Sequence, residues 1–586
     1  MFRMPPREAT IVPMSPWWKN AVVYQIYPRS FADSNGDGIG DLAGITDKAD
    51  YLAQLGADAV WLSPVYTSPQ DDNGYDISDY DDIDPLFGTL ADFDAMVAAL
   101  HARGIKVIMD QVLNHTSDEH AWFQASRDKA SDKRDWYLWR PAREGFEPGA
   151  PGAEPTNWSS FFGGPAWEYD PTSGEYYLHL FSRKQPDLNW ENPAVRAELV
   201  AMMRRWIDRG VDGFRFDVLN LISKTYPLVD GVADPVTGLC MDPTMVLEGP
   251  RLSEFIQELN REVGFDESDL LTVGEFVMAT PETAWKHTAD SHKELGMVFG
   301  FDHMFLDQRE GGMKWELAPL ELPRLKQALA KWQDALASSG WNTLFWENHD
   351  QPRSVSRFGD DRPEFRVASA KTLGTTMMLM RGTPYLYQGQ ELGMTNAGFT
   401  EIEQYRDLEG LNMHTMATGL GLPQPFVMAA LAAKGRDNAR TPMQWDATPT
   451  AGFTTGTPWI GMPGNQAEIN ALDEVADPDS VFNHYRQLID FRRRSSLAHE
   501  GHFALLLPDD PAVFAYTRGD GGQAMLVIAN WSTDEVTVSR DSLPAMVHAR
   551  PTLGTHGDPL LGADALVLRP WESIVYCIGD AWRLDS

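Results

Sequence analysis

The chain has only two cysteines, Cys240 and Cys577, far apart in sequence. That is no disulfide framework, and it points to a reducing, cytoplasmic setting. No apolar run reaches the ~18 residues that a membrane-spanning helix needs, and Met1 to Asn20 contain no apolar core of the secretory kind. A cytosolic protein of this kind sees only small, imported substrates. Basic residues are in deficit: 49 Lys and Arg stand against 84 Asp and Glu, a net charge of −35. That excludes nucleic acid and anionic membrane surfaces as partners. There is no Gly-rich phosphate loop and no His pair at zinc-ligand spacing. There is also no low-complexity tract. What the chain does have is length, 586 residues, with 43% hydrophobic content and 20 Trp. That suffices for a large core in more than one domain, and for flat aromatic faces on which a neutral ligand can stack.

The most informative stretch is Gly213-Phe-Arg-Phe-Asp-Val218. It reads as a short buried strand whose period-2 geometry puts Arg215 and Asp217 on one face. An Asp beside a buried Arg is expected to stay ionised, and an ionised carboxylate at a strand end can serve as a covalent nucleophile. A structural ion pair would show the same pattern.

Around this strand, strands and helices alternate. The expected strands are Val22–Phe31, Ala57–Pro64, Ile105–Asp110, Gly213–Val218, Leu270–Phe276, Val298–Met304, Thr343–Asp350 and Thr383–Tyr387. Helices are expected over Gly44–Leu55, Leu90–Arg103, Pro193–Arg209, Arg251–Val263, Leu322–Ser338, Phe365–Met380 and Ser480–Arg494. Eight such units predict an α/β fold, a (β/α)8 TIM barrel with an inserted subdomain after strand 3 and a C-terminal all-β domain. The expected divisions are a barrel over 1–113 and 190–503, a subdomain over 114–189, an insertion over about 395–479, and a C-terminal β-sandwich over 504–586. Barrel sites lie at the C-terminal strand ends, and Asp110, Asp217, Glu275, His349 and Asp350 all fall there.

That placement suggests a chemistry. Cleaving a glycosidic bond takes two carboxyl groups, and neighbouring strands at ~4.8 Å suit the ~5–5.5 Å separation of a retaining enzyme. Asp217 and Glu275 are candidates. Glu275 sits in Thr-Val-Gly-Glu-Phe, an apolar setting expected to raise its pKa; it could instead cap the next helix. Asp350 adds a third acid, suited to stabilising a developing oxocarbenium ion. His115 and His349 could hydrogen-bond sugar hydroxyls or be structural. A separate loop, Asp33, Asn35, Asp37, Ile39 and Asp41, alternates oxygen ligands as a calcium loop does, though its twelfth position is Gly44 rather than Glu. The loop is read as binding a divalent cation; an Asx-rich turn closing on itself would look the same.

Four ordered segments, Asp110-Gln-Val-Leu-Asn-His115, Gly213–Val218, Gly274-Glu275 and Asn348-His-Asp350, resemble the motifs of the α-amylase family, glycoside hydrolase family 13. The resemblance runs from about Trp17 into the C-terminal region. Asp71–Tyr80, Gly382–Gly389 and Arg440-Thr-Pro-Met-Gln-Trp445 are similar to the oligo-1,6-glucosidase and α-glucosidase branch. The resemblance implies Asp217 as nucleophile, Glu275 as acid/base and Asp350 as transition-state stabiliser. It implies Arg215, His115 and His349 holding the sugar, Tyr75 as its platform, and Asp72 and Arg440 at the non-reducing end. Such an Asp–Arg pair across the pocket floor would block a longer chain, so cleavage is expected to be exo. The resemblance also implies a structural Ca2+ or Mg2+ at Asp33–Asp41, with Ile39 giving its carbonyl, no organic cofactor, and a monomer acting on a small oligosaccharide.

In this branch Val after the nucleophile accompanies α-1,6 preference, and here it is Val218, followed by Leu-Asn-Leu-Ile-Ser-Lys224. The expected activity is therefore an α-glucosidase cleaving terminal α-1,6 bonds of isomaltose, isomalto-oligosaccharides and panose by double displacement. Phe276-Val-Met278 departs from the branch's Met-Pro-Gly and leaves α-1,4 or sucrose-cleaving activity open. Trehalose-6-phosphate hydrolases share the pattern but should carry extra basic residues on the aglycone side. Sucrose isomerases should carry an Arg-rich stretch where this chain has Ser356-Arg-Phe-Gly-Asp-Asp361. A catalytically dead sugar-binding relative would lack one of the three acids, and none is missing.

Overall fold

Eight short, largely apolar segments, too short for helices and buried over nearly all their length, have nowhere to go but a sheet covered on both sides. In the computed structural model they are β1 (Val23–Ile26), β2 (Ala59–Leu62), β3 (Lys106–Val112), β4 (Gly213–Asp217), β5 (Leu271–Gly274), β6 (Met297–Val298), β7 (Thr343–Leu344) and β8 (Thr383–Tyr387). The structure describes residues 15–520, 523–545, 549–556, 560–561 and 564–579. The strands pair in parallel in the order β6-β5-β4-β3-β2-β1-β8-β7. A parallel bridge from Val298 to Asn342 joins the two ends, so the sheet closes into a barrel.

The helices between the strands bury one face each against this barrel. The helix Pro193–Asp208 starts at an Asn192 cap with Pro193 in its first turn, and it turns Val195, Leu199, Met203 and Trp206 inward. β4 can lie close against β5 because it opens on glycine. A Cβ on Gly213 would lie 2.2 Å from the Leu271 carbonyl oxygen of β5. The register then places Asp110 of β3 beside Arg215 of β4, and Arg215 beside Val273 of β5. All three strands deliver polar groups to one end of the barrel.

Between β3 and β4 lies a three-stranded sheet, Trp139–Arg140, Trp167–Asp170 and Glu175–Leu178, with its own core around Trp158, Trp167 and Leu180. The excursion after β4 packs onto it through Cys240 and Val246, a contribution the sequence pattern did not suggest. After β8 the insertion forms the helices Leu408–Gly419 and Gln424–Lys434. Beyond residue 503 a five-stranded antiparallel sheet faces a three-stranded one over a core including Leu526, Ile528, Leu566 and Ile574. No helix among the described residues is long and apolar enough to cross a membrane.

Several expected elements are shorter than their patterns. Pro28 converts the end of Val22–Phe31 into a 3-10 turn. Strand Val298–Met304 keeps only its first residue in β6, and a 3-10 turn follows at Asp302–Phe305. Thr343–Asp350 ends as a strand at Leu344, and further on Asn348 accepts the Asp350 N–H in a turn. Helix Gly44–Leu55 breaks at Lys48 into Leu42–Asp47 and Ala49–Leu55.

Candidate active site

Arg215 is the hub of the barrel's C-terminal end. It is 2% exposed, and no single carboxylate has it to itself. Its Nη1 donates to Asp110 and Asp217, each at 2.8 Å, and its Nη2 donates to Glu275. Glu275 follows β5 directly, so its side chain stands next to Asp217 at the end of β4. Although Glu275 is flanked by apolar residues in sequence, its carboxylate meets a guanidinium. One cation thus serves three acids. Burial pushes Asp217 well above the usual carboxylate range; Arg215 pulls it back, and Glu275 and Asp110 push it further up. The expectation of a simply ionised Asp217 is therefore revised. Burial also lifts Asp110 to about 6 against the pull of Arg215. Like charges this close share protons. The cluster is built to hold a proton, as an acid and a nucleophile working together require.

Asp350 is held differently. Burial opposes its charge, but the Arg436 guanidinium, with Arg440 and Arg215, outweighs burial and keeps it well below the usual range. Arg440 donates to Asp350 at 2.7 Å and to Asp407 at 2.9 Å, and its Nε to the His349 carbonyl. Asp72 was expected to pair with Arg440, but its carboxylate accepts from Gln185 at 3.0 Å instead. Burial lifts Asp72 to about 7, with Arg436 the strongest opposing charge.

Both histidines are neutral and fixed in tautomer. Burial lowers His115 to about 4 and His349 to about 3. Lys224 donates to Asn114 Oδ1, which turns the Asn114 amide N–H onto His115 Nδ1 at 3.2 Å. His115 Nε2 therefore carries the hydrogen, beside the Tyr75 carbonyl. On His349, Gln25 Nε2 lies 2.8 Å from Nδ1, and Tyr75 Oη lies 2.6 Å from Nε2. The Tyr75 hydroxyl passes its own hydrogen to Asp110 at 3.0 Å. The Tyr75 ring stacks on His349 at 5.4 Å between centroids.

These groups surround a pocket of about 270 Å³ lined by Asp72, Tyr75, His115, Asp217, Val218, Glu275 and Asp350. Arg215, His349 and Arg440 stand directly behind that wall. All ten residues expected at the catalytic and sugar-binding site converge there. The remaining wall was not anticipated: Phe161, Phe162, Phe181, Gln185, Val277, Glu409 and Arg436. Arg436 lies in the same Arg-Asp-Asn-Ala-Arg run as Arg440, one helical turn away, and that spacing could have flagged it. The aromatic residues come from the irregular subdomain, whose sequence has no periodicity to read.

The five candidate cation ligands form a separate loop. Asp33 accepts backbone N–H groups from Asn35, Gly36 and Gly38, Asn35 accepts from Asp37, and Asp37 from Ile39. Asp41 caps the helix Leu42–Asp47. Among the described residues no group of three or more His, Cys, Asp or Glu side chains is gathered as a metal-ligand set.

Residues 25–501 match the α-amylase catalytic domain family. The chain is 52% identical to an oligo-1,6-glucosidase of Parageobacillus thermoglucosidasius over 566 residues, covering 96% of this chain and 99% of that one. It superposes with a TM-score of 0.89 on the crystal structure of trehalose-6-phosphate hydrolase from Bacillus licheniformis, at 45% identity, covering 96% of this chain and all of the other. Isomaltulose synthase from Klebsiella sp. LX3 gives a TM-score of 0.90 at 40% identity and the same coverage.

Proposed function

The chain belongs to the α-amylase family, and on the geometry above we propose that it is a retaining, exo-acting α-glucosidase that removes glucose from short α-1,6-linked oligosaccharides. The observation that carries this reading is Arg215 holding Asp217 and Glu275 side by side on adjacent strands at the floor of a pocket. Glu275 protonates the departing glycosidic oxygen while Asp217 bonds to the anomeric carbon. Glu275 then takes a proton from water as that water displaces Asp217. Asp350, kept ionised by Arg436 and Arg440, faces the cationic transition state. His115 and His349, Tyr75, Asp72, Arg440 and Arg215 hold the sugar, with Val218 on the aglycone side.

The α-1,6 preference is supported by the printed names of relatives, among them oligo-1,6-glucosidases at 52% and 50% identity, and by Val218 at the aglycone wall. The trehalose-6-phosphate reading finds less support. Among the described residues Arg436 is the only cation lining the pocket, and it already faces Asp350 and Glu409. Isomerisation also finds less, because Arg357 is turned to Asp307 and Arg362 to Asp360. The hard oxygen donors of Asp33, Asn35, Asp37, Asp41 and the Ile39 carbonyl suit Ca2+ or Mg2+ in a structural role, remote from the pocket. Chelation should lower the unfolding temperature and leave kcat unchanged at moderate temperature. Cytoplasmic location and a monomeric state complete the reading.

The test is glucose release from equimolar isomaltose, maltose, trehalose 6-phosphate and sucrose, with Asp217→Asn as blank. Isomaltose should dominate and the variant should be silent. Dominance of maltose or sucrose would overturn the linkage, and silence of the wild type on all four would overturn the hydrolase reading.

A further inference from the structure

The loop that carries Glu275 past the end of β5 is fastened to the loop that follows Asp217, and one side chain does most of the fastening. Asn220 is fully buried. Its Nδ2 donates to the Val277 carbonyl and its Oδ1 accepts the Val277 N–H, both at 2.9 Å. Because both partners are backbone groups of one residue, the amide fits only one way round. Beside it, the Leu219 N–H donates to the Glu275 carbonyl at 2.9 Å, and the Asn220 carbonyl accepts from Glu248. The regular β4–β5 pairing ends at Phe216 and Gly274. These bonds prolong it beyond the strands, to the residues that bear the acids.

The backbone needs that support. Val218 has φ 37° and Met278 has φ 56°, left-handed values in residues that are not glycine, and Val218 is β-branched. Such conformations persist only where their surroundings hold them. Asn220 grips the chain directly between these two strained positions. It stands behind the wall made by Val218 and Val277 and touches neither carboxylate.

We propose that Asn220 is a positioning residue for the acid/base: it sets the place of the Glu275 carboxyl relative to Asp217. The proposal rests on the reading of Glu275 as acid/base. Its consequence is specific. A sugar leaving group needs a proton as the bond breaks, whereas fluoride departs without one. A misplaced Glu275 therefore harms cleavage of isomaltose and spares formation of the glycosyl-enzyme from α-glucosyl fluoride. A general loosening of the fold harms both.

The experiment measures kcat/KM on isomaltose and on α-glucosyl fluoride for wild type, Asn220→Ala, Asn220→Asp and Glu275→Gln. Asn220→Ala should lose about 100-fold on isomaltose and no more than about threefold on the fluoride. Asn220→Asp keeps the acceptor but not the donor; it should lose about tenfold on isomaltose with the same sparing, and it decides the matter alone if the alanine variant does not fold. Equal losses on both substrates, or none on either, overturn the proposal. Glu275→Gln should show the same split more strongly. If it harms both substrates equally, the acid/base reading itself falls and this proposal with it.

Discussion

Buried arginines do opposite work at two places in this molecule. At the pocket, Arg215, Arg436 and Arg440 are surrounded by carboxylates: Asp110, Asp217, Glu275, Asp350, Asp407 and Glu409. Where the barrel meets the β domain, Arg492 and Arg518 are just as buried but bind only carbonyls. Arg492 donates to Met378, Met380 and Gly382, and Arg518 to Leu379, Ala498 and Gly501. Several of these carbonyls end the helix Arg366–Met378, where the helix dipole is negative. Lys326 does the same for the carbonyls of Leu507, Asp510 and Val513. Burial lowers Arg492 to about 9 and Lys326 to about 8. It leaves Arg215 raised well above its ordinary value, because the surrounding acids outweigh it. Partners rather than depth thus decide whether a buried cation organises proton chemistry or closes off a backbone.

Removing one cation from each place should separate the two roles. Arg215→Met should cost activity most, about 10³-fold or more in kcat/KM, because the acids lose their common anchor. Its stability loss should depend on pH. Without the guanidinium Asp217 and Asp110, already raised by burial, rise further above their unfolded pKa values, so the penalty is largest at alkaline pH and fades as pH falls toward the unfolded carboxylate range. Melting curves at pH 5 and pH 8 would check this; a loss equal at both would contradict it. Arg492→Met should cost about 3–5 kcal/mol, by leaving buried carbonyls unpaired, with no such dependence across that interval and with kcat/KM unchanged in the folded fraction. Denaturant titration measures the cost. The smallest effect is expected from Asp72→Asn. Asp72 is lifted to about 7 from its ordinary value of 3.8, so unfolding releases a proton between those pH values. Wild-type stability is eroded as pH rises through that window. The Asn variant escapes this erosion, and its gain at pH 8 should exceed its gain at pH 5 by about 2.5 kcal/mol.

The two places also differ in how much of them the sequence reveals. Arg215 and Asp217 sit on a period-2 strand within an apolar hexapeptide, and that pattern alone placed them inward at a strand end. Asp110 and Glu275 could be read for the same reason, whereas Asp350 lies six residues beyond Leu344, where the strand expected to carry it ends. Nothing comparable marks Arg492, which sits in Arg492-Arg-Arg494 and looks like an exposed basic helix end; only its neighbours Arg493 and Arg494 are exposed. Asp72 with Gln185, and Asn220 with Val277, escaped notice because each joins segments that local periodicity does not relate. The barrel was legible because helix and strand periods alternate through it, and the pocket's aromatic wall was not, because it comes from loops.

The central claim is that Asp217 attacks the sugar. Intact-mass and peptide mass spectrometry after incubation with 5-fluoro-α-glucosyl fluoride, which forms a slowly hydrolysed glycosyl-enzyme, tests it most directly. One added fluoroglucosyl group per chain is expected, located on Asp217. An adduct on another residue, or turnover without any adduct and with inverted product, would contradict it.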